Sequence, residues 1–120
     1  MTGAATARAL IVYKIVPSHI WPTRGEAFAG APVDLADGFV HFSTKAQVAE
    51  TAARHFAGQD DLLLVAVDAA RLGERLRWEA SRGGDLFPHL YGALPLSAVL
   101  STRPLPLGGD GRHDFTGLLS

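Results

Sequence analysis

The alternation of apolar and polar residues predicts a chain of short strands with helices in its first half. The apolar pattern of Ala9–Ile15 predicts a buried strand. Leu62–Val67 is continuously apolar and is therefore expected at the centre of a sheet. Phe39–Ser43 and Leu76–Glu79 alternate with a period of two, as half-buried strands do. Val99–Leu107 contains two prolines, which favours an edge strand.

Two main helices are predicted between these strands. The first is expected to begin at Ser18, a residue type that caps helices, with Pro22 in its first turn, and to end near Gly30. Residues 34–38 (Asp-Leu-Ala-Asp-Gly) are predicted to form a turn.

The second helix has the clearest pattern in the chain. Thr44 and Gln47 have the spacing of a capping box at its start, and Gly58 stands where a helix is expected to stop. Between them, apolar residues recur at i, i+3, i+4 and i+7, which is the spacing of an amphipathic helix. These residues are Ala49, Ala52, Ala53 and Phe56.

The late part of the chain is mostly extended. Phe87–Gly92 is predicted to be a short extended segment, with Pro88 keeping it out of a central position in a sheet. Helices early and strands late predict an α+β fold with an antiparallel or mixed sheet. The length of 120 residues fits one domain over residues 1–120, with loose tails at 1–8 and 109–120.

The composition narrows the classes of function. The formal net charge is −1 and the basic residues are scattered, so no general affinity for nucleic acid is expected. The absence of cysteine excludes thiolate nucleophiles and Cys-ligated metal sites. No apolar run approaches the roughly 18 residues of a membrane-spanning helix, and no secretory signal is present, so the protein is expected in the cytoplasm, without a membrane partner. The oligomeric state is left open.

His41 is the first candidate for chemistry. Side chains alternate along a strand, so His41 and Ser43 are predicted to share one face, immediately before the helix that begins at Thr44. A helix start offers free N–H groups and a partial positive charge, which suit an anionic ligand. The alternative is that His41 is a structural histidine and that Ser43 or Thr44 only caps the helix.

A second candidate cluster is the segment Phe87-Pro88-His89-Leu90-Tyr91. If this segment is extended, Phe87, His89 and Tyr91 share a face that could stack a planar ring. The alternative is a half-buried strand in which His89 bonds to a carbonyl group.

The third candidate is the strand that ends in Trp78-Glu79. Glu79 could act as a general acid or base, or accept a hydrogen bond from a ribose hydroxyl. Ser81 lies on the same predicted face, and Arg82 with its following glycines could hold a phosphate. The alternative is an exposed, ion-paired face and a flexible loop. No metal site is predicted, because the histidines lack metal-binding spacing.

Several segments, in their order along the chain, resemble a bacterial family, the domain of unknown function 952. The segments are Tyr13-Lys14-Ile15, Asp37-Gly38-Phe39-Val40-His41-Phe42-Ser43-Thr44, Glu50-Thr51-Ala52, Asp61-Leu62, Trp78-Glu79 and Phe87-Pro88-His89-Leu90-Tyr91-Gly92. The resemblance covers about residues 10–105. It implies a fold similar to that of ADP-ribosyltransferases, with split, mostly antiparallel sheets, two main helices and a cleft that holds NAD or an ADP-ribosyl group in relatives.

The resemblance also implies roles for particular residues. The family's first functional position falls near Tyr13 or Lys14, the second at His41 and Ser43, and the late one at Glu79 or His89. The expected catalytic residues are His41, Glu79 and His89. The expected ligand-binding residues are Tyr13, Lys14, Ser43, Thr44, Trp78, Ser81, Arg82, Phe87 and Tyr91.

Two hypotheses of function follow. In the first, the protein binds NAD, ADP-ribose or a related nucleotide and is an enzyme of the ADP-ribosyl or 2′-phospho transferase type, or a degenerate one. In the second, it is a ligand-binding or interaction module without catalysis.

Overall fold

The computed structural model describes residues 10–119, and the side chain of Arg82 lies outside its described part. Residues 1–8, which the sequence predicts to be a loose tail, also lie outside the described residues. The strands are β1 (Ile11–Pro17), β2 (Ala27–Phe28), β3 (Val40–His41), β4 (Leu62–Asp68), β5 (Leu76–Ala80), β6 (Leu86–Leu90), β7 (Leu94–Pro95) and β8 (Val99–Leu105). The α-helices are α1 (Pro32–Asp37) and α2 (Val48–His55). Short 3-10 segments span Ser18–Ile20, Ala69–Arg75, Arg82–Gly84 and Leu96–Ala98.

The strands form three sheets in which neighbouring strands run antiparallel, with the orders β1-β4-β8, β2-β7 and β3-β6-β5. The predicted α+β class with mostly antiparallel sheets is therefore confirmed. Strand β4 is central and β8 is at an edge, as the apolar run at 62–67 and the prolines of the last strand predict. Side chains from neighbouring sheets can therefore contact each other where the sheets meet.

Strand β1 is buried on both faces. Val12 and Val16 point into one apolar core, whereas Tyr13 and Ile15 point into a second core that includes part of α2. Because side chains alternate along a strand, Lys14 points to the same side as Val12 and Val16. A lysine is thus placed at a buried position, where it needs a partner.

The predicted helix over residues 18–30 is wrong. Only Ser18–Ile20 forms a 3-10 turn, and the chain then bends as far as β2. Gly25, which lies inside the predicted helix, adopts a φ angle of 102°, which no helix interior contains. The first α-helix instead lies over most of the predicted turn, with Pro32 in its first turn and Gly38 ending it at φ 87°.

A helix is confirmed in the predicted segment, but α2 begins at Val48 and not after Thr44, and Ala49 and Ala53 of the predicted apolar stripe are exposed. Val48 and Ala52 lie on its buried side against the second core. The side-chain carbonyl of Gln47 accepts the backbone N–H of Thr44 at 3.0 Å, which is half of the predicted capping box.

The predicted exclusion of Pro88 from a central strand is wrong, because β6 lies between β3 and β5. Strand β3 pairs with β6 only over Val40 and His41. Pro88 lies just beyond that pairing, and its carbonyl still accepts the N–H of Phe42 at 3.0 Å. On the other side Pro88 lies opposite Trp78, in a pair that exchanges no hydrogen bonds with β5, so its missing N–H falls on the β3 side, beyond the Val40 and His41 pairing.

The last residues, for which the sequence predicts a loose tail from 109, return to the body of the domain. Leu107 and His113 form an isolated antiparallel bridge. Phe115, Leu118 and Leu119 pack against the second core. Apolar side chains in the tail thus cover α2 and β4 on that side.

Candidate functional site

The three candidate segments become three neighbouring strands of one sheet. His41 of β3 lies opposite His89 of β6, and His89 lies opposite Arg77 of β5. The two imidazole rings are 5.7 Å apart between centroids, with an edge-to-face orientation. Pairing across an antiparallel sheet therefore brings together residues that are far apart in the sequence.

Glu79 holds one nitrogen of His89. Its carboxylate oxygen Oε1 is 2.9 Å from Nδ1 of His89 and accepts the hydroxyl of Tyr91 at 2.7 Å. Nε2 of His89 makes no hydrogen bond to another described residue. The hydrogen bonds from His89 and Tyr91 lower the pKa of Glu79. The hydrogen bond between Tyr91 and Glu79 also raises the pKa of Tyr91. At neutral pH the carboxylate is therefore ionised and the phenol is neutral.

His41 lies between two carboxylates. Its Nδ1 is 2.6 Å from Asp34 and its Nε2 is 2.9 Å from Asp37. The imidazole is about one-third exposed, Asp37 is about half exposed, and Asp34 is buried. Each ring nitrogen therefore has a carboxylate acceptor within hydrogen-bonding distance. His41 is thus held at both ring nitrogens, whereas His89 is held at Nδ1 alone.

Asp34 is the buried centre of this arrangement. It accepts hydrogen bonds from Lys14, from the backbone N–H and ring of His41, and from the backbone N–H of Ala31 at the start of α1. Lys14 also donates to the carbonyl of His41 at 3.1 Å. Each charged atom is therefore satisfied despite burial.

Burial and the contacts within this cluster change the pKa of both Asp34 and Lys14. Burial by itself would raise the pKa of Asp34, but the hydrogen bond from His41 and the charge of Lys14 outweigh it and lower the pKa to about 2. Burial lowers the pKa of Lys14, and the charge of Asp34 opposes that change.

Phe39 joins the two imidazoles into one aromatic group. Its ring stacks on His89 at 4.1 Å between centroids, and it contacts His41 at 4.5 Å and Tyr91 at 5.4 Å. The guanidinium of Arg77 lies 5.0 Å from the centroid of Tyr91, within range of a cation–π contact.

A cavity of about 280 Å³ adjoins this group. Its lining is mostly small or apolar, and consists of Ala29, Asp34, Leu35, Gly38, Phe39, Val40, Gly92 and Ala93. A second cavity, of about 400 Å³, is not lined by His41 or His89. It lies between α2 and the segment that contains Arg112, His113 and Phe115. Only the first cavity shares residues with the site.

Some residues predicted for the site lie elsewhere. Tyr13 is in the second core, and its backbone pairs with Ser43. The Ser43 hydroxyl is 2.8 Å from that of Thr51 on α2. Between His41 and Ser43 the chain leaves β6 and joins β1, so the expected shared face of these two residues is not formed. Thr44 lies four residues before α2 begins, and its carbonyl accepts the N–H of Val48.

The remaining predicted residues also lie in different places relative to the site. Trp78 alternates with Arg77 and Glu79, so it lies on the opposite face of the sheet. Phe87 is on the face of His89 but is buried, with 6% of its surface exposed. Ser81 is exposed, and its carbonyl accepts the N–H of Gly84. The predicted role of the Arg82 side chain falls outside the described residues.

Sequence reasoning missed Asp34 and Asp37 as members of the site. The turn pattern in which they occur indicated only a polar loop. Two signals could have found them. Lys14 stands between the apolar residues Tyr13 and Ile15 and needs a buried carboxylate, and Asp37 precedes His41 by four residues.

Within residues 10–119, no helix is long and apolar enough to cross a membrane. In the same range, no three His, Asp or Glu side chains are arranged so that they could hold a metal ion.

Comparison with known proteins gives a family and relatives of known structure. The crystal structure of protein CC0527 from Caulobacter crescentus is 47% identical, with a TM-score of 0.84 over 88% of this chain and 95% of that chain. The solution NMR structure of CC0527 is 46% identical, with a TM-score of 0.80 over 92% of this chain and 97% of that chain. No curated protein matches. The family model described as Protein of unknown function (DUF952) matches residues 15–102, and the chain therefore belongs to this family.

Proposed function

We propose that the group around His89 binds a nucleotide-type ligand, such as NAD, ADP-ribose or a related molecule, and that His89 serves it as a general acid–base. The observation that carries the proposal is the contact between Glu79 and Nδ1 of His89, which leaves Nε2 without a partner among the described residues.

The chemistry of His89 follows from this contact. An ionised carboxylate at Nδ1 favours the tautomer that carries its proton there, so that Nε2 has a lone pair. A nitrogen oriented in this way can take a proton from a hydroxyl group of a ligand and return it. Tyr91 donates to the same carboxylate oxygen and so helps to fix its position.

Asp37, whose carboxylate is held by Nε2 of His41, is proposed to recognise hydroxyl groups. The outer oxygen atoms of Asp37 are exposed enough to accept hydrogen bonds from a ribose diol. Asp34 lies behind His41 with its side chain only 1% exposed, so it is a positioning residue for the imidazole. His41 is accordingly assigned to holding the ligand-binding carboxylate of Asp37, and His89 to proton transfer.

The cavity beside Phe39 is proposed to receive a planar ring. Its volume of about 280 Å³ is just below the range of about 300–1,000 Å³ of whole-ligand pockets, so it suits part of a ligand, such as a nicotinamide or a nucleobase. The exposed guanidinium of Arg77 could pair with a phosphate of the same ligand.

The choice among nucleotides rests on the fold similar to that of ADP-ribosyltransferases that the family segments of the sequence imply. If the split sheets hold their ligand as those proteins do, NAD and ADP-ribose are the first ligands to test, together with RNA that carries a 2′-phosphate. The reaction would be transfer of an ADP-ribosyl group or of a 2′-phosphate.

Titration of ¹⁵N-labelled protein with NAD, NADP, ADP-ribose and 2′-phosphorylated RNA tests the proposal. We expect shifts of amide signals at Phe39, His41 and His89 that His89→Ala weakens, and consumption of one ligand that this variant abolishes. His55→Ala, on the exposed side of α2, is the matched control and should leave binding unchanged. No shifts at millimolar ligand would refute the proposal.

The second candidate is a binding module without catalysis. Two observations favour it: carboxylates occupy both nitrogens of His41, and Phe39 covers one face of His89. In that case His89→Ala would change affinity, and no turnover would be found for any ligand that binds.

A further inference from the structure

Strand β5 forms an outer edge of its sheet, because β6 is its only neighbour in the described chain. The N–H of Tyr91 donates to the carbonyl of Arg75 at 2.8 Å, and the N–H of Ser81 donates to the carbonyl of Asp85 at 2.9 Å. In an antiparallel pair such bonds recur at every second residue. The backbone groups of the odd-numbered residues of β5 therefore face β6.

The backbone groups of the even-numbered residues consequently point away from the sheet. Leu76 uses its N–H in a bond to the carbonyl of Gly73 and keeps its carbonyl available. Within residues 10–119, no backbone hydrogen bond outside the ladder reaches the N–H or carbonyl of Trp78 or Ala80. An edge of this kind is a template for another strand.

The sequence of β5 is complementary to itself. If two copies of the strand pair antiparallel about Trp78, Arg77 of one copy lies opposite Glu79 of the other, and Leu76 lies opposite Ala80. Opposite charges at such positions are close enough to attract each other. A two-fold axis at Trp78 creates two of these charge pairs.

The apolar side of the strand is suited to the same arrangement. Trp78 is 38% exposed, and Leu86, which lies opposite Ala80 and diagonally across from Trp78, is 54% exposed. In the symmetric pair the two Trp78 rings would face each other on the side of the sheet away from the imidazoles. The pairing would thus cover large apolar side chains that the single chain leaves in water.

We propose that the protein forms a symmetric homodimer by antiparallel pairing of β5 with β5 of a second copy, centred on Trp78. Trp78 bonds to its own counterpart twice, and the N–H of each Ala80 bonds to the carbonyl of Leu76 of the other copy. The two three-stranded sheets become one sheet. A contact of five residues is small, so the dimer forms at high protein concentration and dissociates on dilution.

The mass in solution tests the proposal, measured by light scattering from micromolar to millimolar concentration. We expect the 12.7 kDa chain to approach twice its mass as concentration rises. Ala80→Pro removes an outward N–H and should remain monomeric, whereas the control Ala80→Thr keeps the N–H and should dimerise. A native chain that stays monomeric at about 1 mM, or an Ala80→Pro variant that is folded and still dimeric, would overturn the proposal.

An exchange of charges provides a second test in case proline disturbs the strand. Arg77→Glu places two acidic residues opposite each other and should weaken dimerisation at least tenfold. The double variant Arg77→Glu with Glu79→Arg restores opposite charges and should recover it. Equal dimerisation of the native, single and double variants would show that the strands do not pair in this register.

Discussion

The ammonium group of Lys14 lies 2.9 Å from the carboxylate of Asp34, and the side chains are only 5% and 1% exposed. A pair of charges at this depth is stable only while both members are present, because either charge alone would be left in an apolar surrounding.

Replacement of Asp34 by Asn should therefore destabilise the protein strongly. The amide keeps the shape of the side chain but leaves Lys14 without its counter-charge. We expect the free energy of unfolding to fall by about 3–5 kcal/mol, measured by urea denaturation at pH 7.

Asp37→Asn is the matched control, since Asp37 also contacts His41 but is 48% exposed. It should cost no more than about 1 kcal/mol. Equal losses for the two variants would contradict the special role of burial at Asp34.

Stability should fall in acid because Asp34 must take up a proton. Its pKa is about 2 in the folded protein, against an ordinary value of 3.8 for an aspartate in water. A lowered pKa stabilises the fold at pH values above about 4, and this contribution disappears as the pH falls towards 2. Its size is about 2 kcal/mol.

Urea denaturation between pH 2 and pH 6 measures this effect. Asp34→Asn should show a flatter acid limb than the native chain, since the variant has no proton to bind at this position. An identical pH dependence in both proteins would show that other carboxyl groups control the acid limb.

Glu79 should determine the tautomer of His89. Nitrogen NMR of the neutral imidazole is expected to show the proton on Nδ1 and an unprotonated Nε2. Glu79→Ala removes the acceptor and should shift the population towards the Nε2–H form. Tyr91→Phe, which removes only the second hydrogen bond to Glu79, should leave the Nδ1–H form dominant.

Two glycines beside α1 should respond differently to alanine. Gly38 has a φ of 87° with open space around it, so Gly38→Ala costs only backbone strain of about 1–2 kcal/mol. Gly30 has a φ of 133°, and a Cβ there would lie 2.9 Å from the Cβ of Asp34. Gly30→Ala should therefore cost more, because Asp34 has no room to move. Thermal unfolding of both variants compares them, and equal costs would argue against the contact.

The sequence predicts the parts of the fold that depend on apolar periodicity. The continuous apolar run of β4 follows from the burial of apolar side chains. The presence of α2 was also predicted, but its buried residues are Val48 and Ala52, and Ala49 and Ala53 of the predicted apolar stripe are exposed. Segment 18–30 could not be predicted in this way, because Gly25 adopts a φ of 102° inside the helix that the capping residue Ser18 suggests.

Strand periodicity also predicted part of the site around His41 and His89. His41, His89 and Glu79 have the alternation of strands, but their meeting depends on the order β3-β6-β5, which no local pattern specifies. Helix α1 escapes detection because the residue on its buried side is Asp34, a charge, whereas periodicity searches for apolar residues. Only the buried Lys14 of β1 indicates that a buried carboxylate such as Asp34 is present.

The contacts of Asp34 also define how the native protein opens. The carboxylate accepts the backbone N–H of Ala31 and that of His41, while it holds Lys14 on a strand of another sheet. A fluctuation that withdraws Asp34 releases both amide protons together. The amides of Ala31 and His41 should therefore exchange with deuterium at the same opening free energy, as members of one cooperative unit that spans two sheets.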